Sequence, residues 1–249
     1  MRKLKFTFIL LSLFIGSATL MGQVTTSTLS GKITESDGQA LPGATIIATH
    51  VPSGTVYGAS ANTQGSYSIQ GMRPGGPYTV NVTFIGYQTQ RYTEITLLLG
   101  ENTTLNSTLA PTTTEMTEVT VIGYASSKFN TTQTGAVTNI SNTQIANMPT
   151  VSRSIIDVTR LSPYGGNGMS FVGSDGRTAN FTVDGANFNN NFGLSSALPG
   201  GGNPFSIEAI EELQVVIAPY DVRQTNFIGG GVNAITKSGT NTFKASVYT

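Results

Sequence analysis

The chain of 249 residues carries 13 basic and 13 acidic residues, so its formal net charge is zero and only 10% of it is charged. Average soluble domains are about 25% charged. Because neutralising phosphates requires clustered Lys and Arg, this composition predicts no nucleic-acid partner. Cysteine is absent, which excludes a disulfide framework, thiolate metal ligands and a cysteine nucleophile.

Residues 1–22 have the order of a secretory signal peptide. A basic start at residues 2–5 is followed by an uncharged apolar stretch at residues 6–15 and then by small residues. The stretch is too short to span a membrane. We predict cleavage after Gly22, with cleavage after Ala18 as the alternative, and therefore a mature chain that works outside the cytoplasm.

Residues 23–110 contain short alternating segments separated by turn residues, the pattern of a β-sandwich or barrel. The clearest is Tyr78–Phe84, which places Tyr78, Val80, Val82 and Phe84 on one face. We predict a seven-stranded sandwich with strands at residues 29–34, 44–48, 55–59, 66–69, 78–84, 93–99 and 103–109.

Three motifs in this segment resemble the carboxypeptidase regulatory-like domain. They are Gly31–Thr34 with Asp37–Ile46, Gly65–Ile69 with Pro74–Val80, and Phe84–Tyr87. The resemblance implies a sandwich of the carbohydrate-binding-like class. The tyrosines at 57, 67, 78 and 87 would either stack on a sugar or pack within the fold, and we expect packing.

Residues 111–130 begin with the linker composition Pro111–Thr114 and continue with an acidic start and a β-branched run, Glu118–Tyr124. Such a segment can add as a strand to the sheet edge of a partner, where main-chain hydrogen bonds provide affinity. It can equally be one more strand of a neighbouring domain. The residues alone leave these two alternatives open.

Residues 131–240 are dominated by polar loops with a few short elements. The predicted features are a helix Arg153–Leu161 capped by Ser152, a strand Asn180–Val183 ending at an Asp184-Gly185 turn, a helical turn capped by Ser206, a buried strand Leu213–Ala218, and a strand Val232–Thr236 after Gly229–Gly231.

These elements resemble the plug of TonB-dependent outer-membrane receptors. The matching tracts are Val183–Gly185, Ile207–Val215 and Gly229–Gly239, and Ala218–Gln224 is similar to the Oar-like branch. In this context a seven-residue segment also resembles the energy-coupling box that contacts periplasmic TonB. Its residues are Glu118, Val119, Thr120, Val121, Ile122, Gly123 and Tyr124.

The resemblance implies structural roles in the plug: Asp184 and Gly185 shape a turn, and Gly229, Gly230 and Gly231 permit close backbone packing. The expected fold is mainly β, with the sandwich followed by a mixed α+β plug at 131–240 and the start of a transmembrane β-barrel at 241–249. The implied partners are TonB, the chain's own C-terminal barrel, the outer membrane and an unidentified extracellular substrate.

A plugged barrel of 22 strands, each about 9–11 residues long in the membrane, needs far more chain than the nine residues after Thr240. We therefore expect the chain to be the N-terminal portion of a longer receptor, located in the outer membrane with its sandwich in the periplasm. The alternative is a secreted or periplasmic, adhesin-like module that binds carbohydrate or protein.

The residue inventory predicts no enzyme. His50 is the single histidine, so a histidine metal cluster cannot be assembled. A triad base could only be His50, which lies in a different domain from most candidate triad partners. We predict no catalytic residue, no metal ligand and no cofactor, and we expect His50 on the surface.

Overall fold

The computed structural model describes residues 24–112, 119–122, 136–150, 153–189, 198, 204–217, 228–240, 242, 243 and 245. The predicted signal peptide, the tract 218–224 and most of 241–249 lie outside the described residues. In the part of the chain that is described, no helix is both long and apolar enough to cross a membrane.

Two sheets form an N-terminal sandwich. The first has the order β4-β1-β7, with β8 also pairing with β1, and the second has the order β3-β2-β5-β6-β9. The strands are β1 (Ser27–Glu35), β2 (Thr45–His50), β3 (Thr55–Ser60), β4 (Ser66–Met72), β5 (Gly75–Thr83), β6 (Gln90–Leu97), β7 (Asn102–Thr104), β8 (Ser107–Leu109) and β9 (Val119–Ile122).

The sandwich core lies between these two sheets and follows the period-2 alternation of the strands. On β2, Ile46 is fully buried, whereas the next residue, Ile47, is 39% exposed. On β5, Tyr78, Val80 and Val82 are all fully buried, which places them on the face that the alternation predicts. One cluster of buried side chains from both sheets forms this core.

The expected single strand at 103–109 is wrong, because the structure divides it into β7 and β8. Both pair in parallel with β1, β7 with Thr28–Ser30 and β8 with Ile33–Glu35. Between them Leu105 is fully buried, and its main-chain N–H donates to the carbonyl of Ser30. Gly31 permits this approach, since a Cβ there would lie 2.0 Å from the Leu105 carbonyl oxygen.

A third sheet, which we call the C-terminal sheet, has the order β10-β13-β14-β11-β12. Its strands are β10 (Ala136–Ser141), β11 (Asn180–Val183), β12 (Ala186–Asn187), β13 (Ile210–Ile217) and β14 (Gly230–Thr236). It is accompanied by α1 (Asn142–Asn147), α2 (Ile155–Thr159) and two single 3₁₀ turns, Gly176–Thr178 and Ile207–Ala209.

The helix predicted at Arg153–Leu161 is shorter than expected and begins later. Arg153 has a positive φ of 47°, so it cannot continue a right-handed helix. Ser154 is the N-cap, and its side chain accepts from the N–H of Ile156. Neither β10 nor α1 is predicted from the sequence. In β10 only Ile140 is buried, and its polar residues give a weak strand pattern.

Candidate functional site

The junction between the sandwich and the C-terminal sheet is a buried polar region with several hydrogen bonds between the two parts of the chain. On β13, Leu213 and Val215 point into the apolar cluster of the C-terminal sheet. Glu212 and Gln214 alternate with them and are also buried, 2% and 4% exposed. They face the turn that follows β6 in the sandwich, so this polar face of β13 is covered by protein.

Leu99 in that turn is the centre of the junction. Its main-chain N–H donates to both carboxylate oxygens of Glu212, at 3.1 and 3.0 Å, and its carbonyl accepts from Nε2 of Gln214 at 2.8 Å. The side chain of Leu99 is fully buried. A buried main-chain group without a hydrogen-bond partner is costly. The side chains of Glu212 and Gln214 provide these partners for the N–H and the carbonyl of Leu99.

Further hydrogen bonds extend the junction on both sides. Nε2 of Gln214 also donates to Oδ1 of Asn139 at 3.0 Å, and Nδ2 of Asn139 donates to a carboxylate oxygen of Glu101 at 3.3 Å. On β14, Nδ2 of Asn233 donates to the carbonyl of Val24 at 3.0 Å. Three strands of the C-terminal sheet therefore contact the sandwich through amide or carboxyl side chains.

This junction is not predicted from the sequence, although the alternation on β13 is a signal for it. Glu212 and Gln214 alternate with apolar residues in a segment that was predicted to be buried. Polar side chains at such positions must either face water or find hydrogen-bond partners. The partner, Leu99, is 113 residues away in sequence, so the pattern does not reveal it.

Electrostatics at the junction centre on Glu212. Burial raises the pKa of its carboxyl to about 8, with a further upward contribution from the charges of Glu101 and Glu211. The hydrogen bond from the Leu99 N–H acts in the opposite direction and lowers the pKa. Desolvation dominates because a buried charge without a cation is expensive.

Two cavities flank the junction. One of about 210 Å³ lies beside Glu212 and is also lined by Glu94, Thr96, Leu98, Asn142 and Glu211. The other, of about 440 Å³, is lined mainly by polar residues. These include Thr25, Thr26, Thr55, Tyr57, Arg73, Asp184 and Thr236.

The Asp184-Gly185 turn joins β11 to β12 and lies where the sequence predicts it. Both residues have positive φ, 48° and 83°, as a two-residue type I′ hairpin turn requires. Oδ1 of Asp184 accepts from the main-chain N–H of Thr236 at 2.9 Å, and Oδ2 accepts from its hydroxyl at 2.7 Å. The turn is therefore tied to the end of β14.

The glycines at 229–231 lie at the start of β14, where the backbone passes close to a loop. A Cβ on Gly230 would lie 2.7 Å from the ring of Phe171, and one on Gly229 would lie 2.5 Å from Oγ of Ser174. Gly231 pairs with Asn180 on β11. This geometry leaves no space for a side chain at Gly229 or Gly230 without displacing that loop.

The predicted coupling segment is only partly described. Its central residues 119–122 form β9, which pairs in parallel with β6 of the preceding sandwich, Val119 opposite Gln90 and Ile122 opposite Thr93. Glu118, Gly123 and Tyr124 lie outside the described residues. Residues 119–122 are thus the last strand of the β3-β2-β5-β6-β9 sheet, as the alternative of one more strand of a neighbouring domain predicts.

The expectation that His50 is a surface residue is wrong. His50 is 3% exposed, its Nδ1 lies 2.7 Å from Oγ of Ser53, and its ring packs 4.9 Å from that of Tyr78. Burial, assisted by the charge of Arg73, lowers its pKa. Within the described ranges, no group of three or more His, Cys, Asp or Glu residues could hold a metal ion.

Two of the four candidate sugar-stacking tyrosines are core residues. Tyr67 is 5% exposed and donates from its hydroxyl to the carbonyl of Leu105 at 2.8 Å. Tyr78 is fully buried and donates to the carbonyl of Arg73 at 2.7 Å. Neither ring is available to a ligand, which agrees with the expected packing role.

Comparison with known proteins gives a family for the sandwich. Residues 28–110 match the model of the carboxypeptidase regulatory-like domain. The chain is 26% identical over 197 residues to the TonB-dependent transporter Oar of Myxococcus xanthus, covering 74% of this chain and 18% of that protein. It is 30% identical over 125 residues to the TonB-dependent receptor P3 of Formosa agariphila, covering 50% of this chain and 11% of that protein.

The chain therefore spans less than a fifth of the length of these two curated relatives. Together, the domain match and the two similarities support the TonB-dependent receptor family. Among solved structures, catechol 1,2-dioxygenase of Acinetobacter radioresistens aligns with a TM-score of 0.29 at 11% identity, over 40% of this chain and 58% of that one. So low a score says nothing about the activity of this chain.

Proposed function

We propose that the chain is the N-terminal part of a TonB-dependent outer-membrane receptor that takes up a substrate across the outer membrane. The observation that carries the proposal is the extent of the similarity to the transporter Oar. It covers 74% of the chain, whereas the sandwich family model covers residues 28–110, which are 83 of the 249 residues. The similarity therefore continues well beyond the sandwich.

In this proposal, residues 1–22 direct export and the sandwich lies in the periplasm. Residues 131–240 form a plug that occludes the lumen of a barrel built by the receptor's own C-terminal part, beginning at 241–249. The tight packing at Gly230 and the turn at Asp184 and Gly185 support a plug with a defined shape. The substrate is not identified.

The energy-coupling role is assigned to residues 118–124, which pair with periplasmic TonB as a strand. The position of β9 supports this role, because an edge strand has main-chain donors and acceptors on its outer side that another strand can use. Main-chain pairing also explains how a segment with a single charged residue, Glu118, can be recognised. Energy transmitted through TonB then displaces the plug.

The proposal is tested by capture of the chain on an immobilised periplasmic TonB domain. Thr120→Pro removes a main-chain donor from the segment, and its matched control is Thr114→Pro, which lies outside it. The loss of one hydrogen bond costs about 1 kcal/mol, and about 1.4 kcal/mol corresponds to a tenfold change in affinity. We therefore expect Thr120→Pro to weaken capture about fivefold.

The control should leave capture unchanged. Equal capture of wild type and Thr120→Pro would show that this segment does not bind TonB by strand pairing. If the wild-type chain itself were not captured, the assignment to a TonB-coupled receptor would fail.

A further inference from the structure

One of the groups that hold the sandwich to the C-terminal sheet is the carboxyl of Glu212, which has no cationic partner among the described residues of the junction. Both oxygens of Glu212 lie within 3.1 Å of one donor, the N–H of Leu99. The charged groups that act on it are Glu101 from the docked turn and Glu211 from its own strand. Both are acidic, and so is Glu94, which lines the adjoining cavity.

The described residues that lie opposite Glu212 on the two neighbouring strands are also uncharged. The residue opposite Glu212 on β10 is Ser141, and the one opposite it on β14 is Ile235. Asn139 and Gln214, which complete the hydrogen-bond network, are uncharged amides. An ionised Glu212 would therefore be buried among other carboxyls with one amide N–H as its partner, an arrangement that favours the neutral acid.

We propose that the sandwich docks on the C-terminal sheet with Glu212 protonated, so that docking takes up a proton from solvent and loosens as the pH rises. The junction is thus a proton-dependent contact between the two parts of the chain. It does not depend on the TonB-coupled function proposed above, since it concerns contacts within this chain alone.

The direction of this pH dependence follows from the pKa of the Glu212 carboxyl in the docked and the undocked state. In the docked state the pKa of Glu212 is about 8, and once undocked and hydrated the carboxyl returns to its ordinary pKa of 4.5. The stabilisation is complete below the lower of these two values and is lost as the pH rises through the higher one. From about pH 5 to about pH 8 the docking equilibrium should weaken roughly four-hundredfold.

Hydrogen exchange at the Leu99 amide reports this equilibrium directly, because its N–H is the group that Glu212 binds. In the wild-type chain we expect its protection factor, corrected for the intrinsic pH dependence of exchange, to fall by about two and a half orders of magnitude between about pH 5 and about pH 8. Glu212→Gln keeps an acceptor oxygen but cannot ionise, so its protection should not change with pH.

Glu211→Gln is the matched control. It removes the adjacent carboxyl, and the fall in protection should persist. A wild-type protection factor that is flat with pH, or a fall in Glu212→Gln as steep as in wild type, would overturn the proposal.

Infrared difference spectra between wild type and Glu212→Gln provide a second measurement that does not require the variant to dock. We expect the carbonyl band of a neutral carboxylic acid in the wild-type chain at neutral pH. A wild-type spectrum that shows only ionised carboxylate there would contradict the proposal even if the variant were undocked.

Discussion

The sandwich and the C-terminal sheet use the same alternation of apolar and polar residues but cover their polar faces differently. In the sandwich, β2 buries Ile46 and exposes Ile47, so one face of the strand meets the core and the other meets water. In the C-terminal sheet, β13 and β14 are buried along nearly their whole length. The polar residues Glu212 and Gln214 on β13 meet the sandwich instead of water.

The difference shows that a polar face can be an interdomain contact. A polar side chain facing water contributes little to stability, whereas a buried one must keep its hydrogen bonds. Substitutions on the polar faces of the two regions should therefore have unequal consequences. Of the following experiments, the comparison of Gln214 with Gln70 tests that inequality directly.

The largest effect is expected on the apolar side of the sandwich. Ile46→Ala removes a fully buried side chain and should lower the free energy of unfolding by about 2–5 kcal/mol, since it leaves a cavity as well as losing burial. The adjacent Ile47→Ala, at a side chain that is 39% exposed, should cost clearly less. Urea denaturation of both variants measures this, and similar losses would contradict the one-sided burial of β2.

A smaller effect is expected on the polar face of β13. Gln214→Ala leaves the carbonyl of Leu99 without the 2.8 Å hydrogen bond from Nε2 and should cost about 1–3 kcal/mol, the penalty for a buried group without a partner. The matched substitution Gln70→Ala is on an exposed position of β4 and should change stability by about 0.5 kcal/mol or less. Equal losses of unfolding free energy for the two variants in urea denaturation would contradict the inferred difference between the polar faces of the two sheets.

The smallest effect is expected at the exposed turn after β11. Asp184→Ala removes the acceptors for the N–H and hydroxyl of Thr236 and should lower the melting midpoint by an amount equivalent to about 1 kcal/mol. Asp184→Asn retains an acceptor and tolerates the positive φ of this position, so it should lie closer to wild type. A loss for Asn as large as that for Ala would mean that charge, rather than turn geometry, stabilises the site.

The elements that could be predicted are those encoded locally. The buried face of β5 follows from its alternation, and the Asp184-Gly185 turn follows from the preference of these residues for positive φ. Errors occur where a distant residue intervenes, as at Gly31, where Leu105 splits the expected last strand of the sandwich into two. His50 was misplaced for the same reason, because Tyr78 and Ser53 cover it.

By itself, the sequence determined that this chain is mainly β, where most of its strands lie, and which family the sandwich resembles, because periodicity and turn residues are properties of neighbouring positions. Only the tertiary structure decided that the N–H of Leu99 donates to Glu212, that β9 pairs with β6, and that the Glu212 carboxyl is buried between the two sheets. Leu99 and Glu212 are separated by 113 residues, and a contact over that distance depends on how two folded sheets pack, which no local pattern records.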